Sequence, residues 1–393
     1  MTAPLPESVV TDPHGVYTEL RESAPVHRFR LPDGATAWIV TRYADARAAL
    51  ADPRLSLNKR YAADGAWKGF GLPPALDTNL LNMDPPDHTR IRRLVSPAFT
   101  ARRIEALRRD IERKAHDLLE PIAAAGGGDL VRGFAAPLPV AVICDVLGIP
   151  ADRRADLRGW AGTMLAPPAD DPAAPARAVA SLIELLTTVI AGKRAEPGPD
   201  ILSALVAARD DDGDRLTEDE LTSLAFLVLV AGYENSVNLI GLAVLTLLRH
   251  PDQWAALRHD PALIPGAVRE LMRFEPPAPV SIRRFATVDL EIGGVRIPAG
   301  DTVMVSLAAA DRDPARYPDP DTLDLRRDTS AQLTLGHGIH HCLGAPLARL
   351  EAEVAVGAVL RRMPELKLDV DDATLRWRPS FRSRALLSLP VRV

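Results

Sequence analysis

A single cysteine on a glycine-rich turn, with a strongly helical run directly behind it, constrains this chain more than any other feature. The stretch reads Leu335-Gly336-His337-Gly338-Ile339-His340-His341-Cys342-Leu343-Gly344-Ala345-Pro346, and Leu347-Ala348-Arg349-Leu350-Glu351-Ala352-Glu353 follows. Glycine lets the backbone take unusual dihedrals and come close to a flat, bulky partner. A helix N-terminus offers free amides and a positive dipole end, which favour a negative sulfur. The pattern therefore suits Cys342 as a thiolate ligand. Two blander readings compete. A lone cysteine is often a small buried hydrophobe, but a core cysteine needs no surrounding glycines. A zinc site from His337, His340, His341 and Cys342 would need a second ligand pair further along, and no second cluster is present in the sequence.

The chain has 393 residues, 47% of them hydrophobic, and a net charge of −5. No Ser/Gly-rich linker or low-complexity tract divides it, so one large domain over 1–393 is expected. The acidic balance argues against a nucleic-acid partner. Cys144 lies in the apolar run 140–147 and reads as core. Two distant cysteines give no disulfide framework, which fits a reducing compartment. The N-terminus shows no leader pattern, and no stretch reaches the roughly 18 apolar residues that span a bilayer. A cytoplasmic monomer with no membrane partner is the expectation.

Apolar periodicity with Pro, Gly and Asp boundaries predicts helices over 86–120, 138–166, 172–194, 198–209, 217–250, 251–258, 261–274 and 345–362. Strand-like segments are expected at 36–40, at 290–292 with 295–297 hinged on Gly293-Gly294, at 302–305 and at 386–391. Periodicity alone gives a mainly α chain with some β.

The Cys342 segment resembles the haem-binding loop of the cytochrome P450 family, Phe-Gly-x-Gly-x-His-x-Cys-x-Gly. Gly336, Gly338, His340, Cys342 and Gly344 match, and Leu335 replaces the phenylalanine. Further segments follow in family order, so the resemblance covers nearly the whole chain. It implies a triangular helical body with haem between a central distal helix and the helix behind the cysteine loop. The implied cofactor is haem b with Cys342 as axial iron ligand, Gly336 and Gly344 shaping the loop. O2 is the co-substrate, and electrons come ultimately from NAD(P)H through a separate ferredoxin and ferredoxin reductase. In Asp84-Pro85-Pro86-Asp87-His88-Thr89-Arg90-Ile91-Arg92, His88 and Arg92 share a helix face and match the family's propionate anchors. Arg284, with Arg283 as alternative, matches the anchor of the other propionate, and His340 matches a further contact. Glu270-x-x-Arg273 matches a buried structural network, which Arg312 is expected to join.

The segment Leu224–Asn238 is apolar almost all round, so a buried helix is expected. Gly232 costs it about 1 kcal/mol relative to Ala, and Glu234 costs more unless paired or wetted. Two such costs in one turn point to function; a close helix crossing at Gly232 is the plain alternative. Ala231, Gly232 and Glu234 match the family's oxygen-activating pattern, but Asn235 stands where Thr is usual and Ser236 takes the next position. An amide is no practical proton relay at neutral pH. Asn235 could hold a relaying water, the substrate could complete the relay, or Ser236 could serve from about 100° round the helix. Glu234 is read as the acid end of that relay.

By resemblance the pocket is lined by Tyr61, Trp67, Phe70 and Leu72, then Leu227, Val228 and Ala231, then Pro279, Val280 and Ile282, and last Phe381 with Arg382. Residues 160–195 are expected to form a lid. The implied function is O2 activation and hydroxylation of a medium-sized organic substrate in secondary metabolism. The alternative within the family is oxidative C–C or C–N coupling or ring closure, as of an aromatic cyclic dipeptide. A different class is a haem-thiolate protein that binds ligands without oxygenating them.

Overall fold

The computed structural model describes residues 2–65, 73–77, 79–165, 170–171, 173–209 and 213–393. The central helix, Glu218–Arg249, spans 32 residues. A capping box starts it. The Thr217 hydroxyl accepts from the Glu220 amide at 3.2 Å, and the Glu220 carboxylate accepts from the Thr217 amide at 2.8 Å, so two otherwise free amides are satisfied. Acidic residues fill its first turn and Arg249 its last, both favourable to the helix dipole. Its C-terminal half, from Asn238 to Leu247, is buried on every side. Helices Pro137–Val146, Ala174–Ala195, Ile264–Phe274 and Ala345–Arg362 pack around it.

By length and composition alone, Ala174–Ala195 and Glu218–Arg249 are apolar enough to cross a membrane, contrary to the sequence expectation. In the fold they are core helices, with 44% and 50% of their most apolar windows buried inside the protein.

The 345–362 helix has the expected bounds. Two other expected helices are broken. The 86–120 run becomes Asp87–Val95, Ala101–Glu105 and Arg108–Ala124, interrupted by a 3-10 turn over Ser96–Phe99 with Pro97 in its first turn. Proline cannot donate to the preceding turn and fixes the chain's direction. The 138–166 run breaks between Val146 and Arg154, where Gly148 takes φ +60° and Pro150 follows. Helices Pro13–Ser23 and Tyr43–Ala51 had no strong apolar stripe to announce them.

A five-stranded sheet lies to one side, in the order Val26–Arg30, Thr36–Val40, Thr302–Val305, Arg284–Ala286, Leu55–Ser56. Its second and third strands run parallel, pairing Ala37 with Thr302 and Val40 with Val305. The parallel pair joins the first forty residues to the last hundred. The expected hairpin Leu290–Ile292 with Val295–Ile297 forms around the glycine pair. The expected 386–391 strand narrows to Pro390–Arg392, paired with Gly127–Asp129 and Lys367–Leu368.

Between helices and sheet sits a fully buried ion pair. Arg273 donates to Glu270 through Nε at 2.7 Å and Nη2 at 2.8 Å, and through Nη1 to the carbonyls of Asp311 at 3.0 Å and Pro320 at 2.9 Å. Glu270 also accepts from the Asp324 amide at 3.1 Å and Arg327 Nε at 3.3 Å. The third member is therefore Arg327, not Arg312. Arg312 donates to the Phe274 carbonyl and Asp321, and stacks over the Phe274 ring at 4.1 Å. It is turned away because those groups satisfy its fork first. Asp311 carries the network on: its carboxylate accepts from the Leu333 amide and the Thr334 hydroxyl, each at 2.8 Å. The strand of chain leading to Cys342 is thereby fixed to Arg273.

Removing one partner of a buried pair strands the other charge. Arg273→Met is expected to cost about 3–5 kcal/mol of unfolding free energy in urea titrations. The double variant with Glu270→Gln should lose less than the sum of the single losses.

Candidate active site

Cys342 is half-buried between the 3-10 turn Gly338–His340 and the 345–362 helix. Its amide donates to the Leu335 carbonyl at 2.9 Å, closing the loop. Gly336 and Gly338 take φ +79° and +76°, a region that disfavours any side chain. A Cβ at Gly338 would also meet the Ala51 Cα at 3.1 Å and the Leu50 carbonyl at 3.2 Å, so the loop lies directly on the Tyr43–Ala51 helix. A Cβ at Gly344 would stand 3.9 Å from the Cys342 sulfur. Burial pushes the Cys342 thiol pKa up; the Gly344 and Ala345 amides, with Arg92 and Arg349, pull against it.

A group of basic side chains collects beside this loop. His88 and His340 stand with ring centroids 4.4 Å apart. Arg92 Nη2 donates to the His341 carbonyl at 2.9 Å. Arg284 is buried in its strand. Both ring nitrogens of His88 and the Nε of Arg284 are buried without a hydrogen-bond partner. Burial, aided by His88, Arg284 and Arg92, drives the His340 pKa down to about 3. Burial lowers Arg284 to about 10, with Asp84 opposing. Orphaned polar atoms beside a buried guanidinium are costly, and a bound anion would relieve that cost. Arg283 is not part of this group. Its neighbour in sequence faces the other way, and Arg283 is buried in an ion pair with Asp33.

Among the described residues no three His, Cys, Asp or Glu side chains converge to hold a metal ion. His340 stacks on His88 and hydrogen-bonds the Leu80 backbone, so it does not turn towards Cys342.

Across from the loop, Ala231 and Asn235 are exposed although the helix that carries them is mostly buried. They are four apart and share one face of the helix. Gly232 does mark a close crossing: a Cβ there would stand 3.0 Å from Ile143 Cδ1. Glu234 is no free acid. It accepts from the Arg378 guanidinium and from Ser383 Oγ at 3.0 Å. As an ion-pair acceptor it ties the C-terminal segment to the helix. Ser236 is buried and hydrogen-bonded to Glu351, on the helix behind Cys342. One residue of helical rotation turns it off the Asn235 face.

The pocket residues divide. Leu227 and Val228 are partly buried against the main core. Ile282 is 41% exposed. Val280 is core rather than lining: it is buried, bridges Ser306, and packs with the N-terminal cluster around Tyr17. Phe381 packs against that same cluster. Tyr61 is covered by Arg60, whose guanidinium lies 4.7 Å from the ring centroid. Trp67, Phe70 and Leu72 lie outside the described residues, as do 166–169 within the expected lid.

These elements can be set beside known proteins. The family model described as cytochrome P450 matches residues 176–375. The chain belongs to the cytochrome P450 family. It is 46% identical to the cytochrome P450 monooxygenase PikC of Streptomyces venezuelae, over 99% of this chain and 92% of that protein. It is 42% identical to the 6-deoxyerythronolide B hydroxylase of Saccharopolyspora erythraea, over 98% of this chain and 97% of that one. The solved structure of the Bacillus subtilis bacillaene polyketide synthase P450, PksS, superposes with a TM-score of 0.93 at 35% identity, covering 100% of this chain and 99% of that chain. The P450 fold and the monooxygenase class follow, and with them haem and O2.

Sequence reasoning missed Glu351, Asp311, Thr334 and Arg327. Glu351 sat within an ordinary helical run, and nothing local showed that its face would be buried. Burial raises its pKa to about 8, against the Ser236 hydrogen bond. A carboxyl raised from its unfolded value opposes folding as pH climbs from the unfolded towards the folded pKa, because the unfolded state releases the proton first. Stability should therefore fall across that window. Glu351→Gln is expected to flatten the fall and raise Tm on its alkaline side, read from thermal melts against pH. An unchanged profile would mean that Glu351 is ionised in the fold.

Proposed function

We propose that this P450 hydroxylates a medium-sized, largely apolar secondary metabolite, with Cys342 as the axial haem ligand. The observation that carries the reading is the basic group of His88, Arg92, Arg284 and His340, with orphaned polar atoms, beside a sulfur under two helix-terminal amides. The residues present fit haem: Cys342 would bind the iron, and His88, Arg92, Arg284 and His340 would hold the propionates. When bound, haem supplies O2 activation at its iron. The Gly344 and Ala345 amides and the Arg92 and Arg349 charges then hold the sulfur as thiolate. Gly336 and Gly338 keep the loop flat enough for close approach.

On the opposite face, Asn235 can hold a water through its amide oxygen and nitrogen, and that water or a substrate hydroxyl moves the proton which the amide itself cannot. Glu234, held by Arg378 and Ser383, fixes the pocket wall instead of donating. The apolar lining and the relatives' named activities, above all hydroxylation of 6-deoxyerythronolide B, support a polyketide-like substrate. Electrons are assigned to a separate ferredoxin and its NAD(P)H-dependent reductase, and the protein to the cytoplasm as a monomer.

In haem-loaded protein, Cys342→Ser is expected to abolish the red-shifted Soret band of the reduced carbonyl complex while circular dichroism stays unchanged. Turnover with O2, ferredoxin and a bound substrate should yield product containing one added oxygen atom. Ligand binding without such product would overturn the monooxygenase reading of its native role.

Asn235 ties coupling to the right substrate. Wild type should leak peroxide with surrogate substrates and little with the native one, and Asn235→Thr should narrow that gap severalfold. Tight coupling of wild type with every surrogate would refute this role for Asn235.

A further inference from the structure

The C-terminal turn over 378–384 is pinned on three sides. The Arg378 amide donates to the Ala385 carbonyl at 2.9 Å, and the Arg384 amide to the Pro277 carbonyl at 2.9 Å. Glu234 accepts from Arg378 and from Ser383, and Asn238 Nδ2 donates to Ser383 Oγ at 3.0 Å. These ties place the turn against the stretch of central helix that carries Asn235.

Three arginines of this region have a carboxylate. Arg378 is paired with Glu234, Arg384 with Glu275 at 2.9 Å, and neighbouring Arg283 with Asp33. Among the described residues Arg382 has no ion pair. Its amide donates to Ser380 Oγ at 3.2 Å, which shapes the turn, while its guanidinium has no acceptor among those residues. The residue is accessible and yet desolvated enough that burial lowers its pKa; Arg283 adds repulsion, and Asp33 and Glu234, both already engaged, act on it only as second partners. Arg382 thus stands exposed beside the stretch of central helix whose Ala231 and Asn235 are exposed as well.

We propose that the substrate carries an anionic group, a carboxylate or an equally acidic enol, and that Arg382 receives it at the mouth of the apolar pocket. The inference rests on the pocket reading above and adds the chemistry of one end of the substrate. A guanidinium binds a carboxylate through two parallel hydrogen bonds, and a partly desolvated setting strengthens that pair relative to the surface. An incoming anion also offsets the repulsion that Arg283 exerts on Arg382. The apolar remainder of the substrate would then lie along Ile282 towards Ala231. Arg382 acts here on specificity and orientation, away from the reacting atoms.

The test uses the haem-loaded enzyme and two probes of equal chain length, dodecanoate and 1-dodecanol. Binding is read from the spin-state shift of the Soret band at low ionic strength. Wild type should hold dodecanoate roughly tenfold more tightly than dodecanol, the weight of one charge-assisted pair. Arg382→Gln should bring the two affinities together, and Arg382→Lys should keep part of the preference. Asp33→Asn, which frees Arg283, should strengthen dodecanoate binding. Equal affinities in wild type, or an undiminished preference in Arg382→Gln, would overturn the inference. The two readings fail separately. If dodecanol shifts the spectrum and dodecanoate binds no better, the pocket stands and the anion site falls. If neither probe shifts it, the pocket reading falls and takes the anion site with it.

Discussion

The buried Arg273–Glu270 pair is the constraint on which the rest of the structure hangs. Taking two charges out of water is unfavourable unless their remaining hydrogen-bonding capacity is met. Here it is met by chain brought from elsewhere: carbonyls of Asp311 and Pro320, the Asp324 amide and Arg327. Each partner is a point where an irregular segment is tied to a rigid helix. Through Asp311 the tie reaches Leu333 and Thr334, just ahead of the cysteine turn. A thiolate ligand must be placed to a fraction of an ångström, and a loop gains that precision only from supports of this kind.

The two faces of the site solve different problems. Behind Cys342 the chain assembles positive charge around the sulfur and beside it, with His88 and Arg284 left unpartnered. That face is generic, because it answers to the charge of the cofactor. The opposite face is individual. There Asn235 replaces the usual hydroxyl, Glu234 is committed to Arg378, and Arg382 stands without a carboxylate among the described residues. The same ion pair that engages Glu234 also positions the turn that carries Arg382. Specificity and oxygen chemistry are thus coupled through one short stretch of the central helix.

Much of this was readable in the sequence. The cysteine turn, the helix behind it and the central helix each announce themselves by local pattern, and their observed bounds differ from the expected ones by at most a residue. The gathering of His88, Arg92, Arg284 and His340 was also legible, because their motifs are short and sit at the ends of regular elements. What failed depended on partners distant in sequence. Arg312 and Arg327 are both arginines in one irregular stretch, and only the fold decides which reaches Glu270. Val280 reads as pocket lining by position but is claimed by a bridge to Ser306. Glu351 differs in no local way from Glu353, yet one is buried and the other pairs with Arg108 near the surface.

The sequence by itself determined the chemistry: one thiolate on a glycine turn, a gap-free mainly helical body, and an amide where a hydroxyl is usual. Those properties are local, set by residue type and spacing along a few turns of chain. Only the tertiary structure decided which charges find partners. Glu234 became an anchor, Ser236 turned to Glu351, and Arg382 was left exposed. Ion pairing depends on distances between segments more than a hundred residues apart, and no local pattern carries that information.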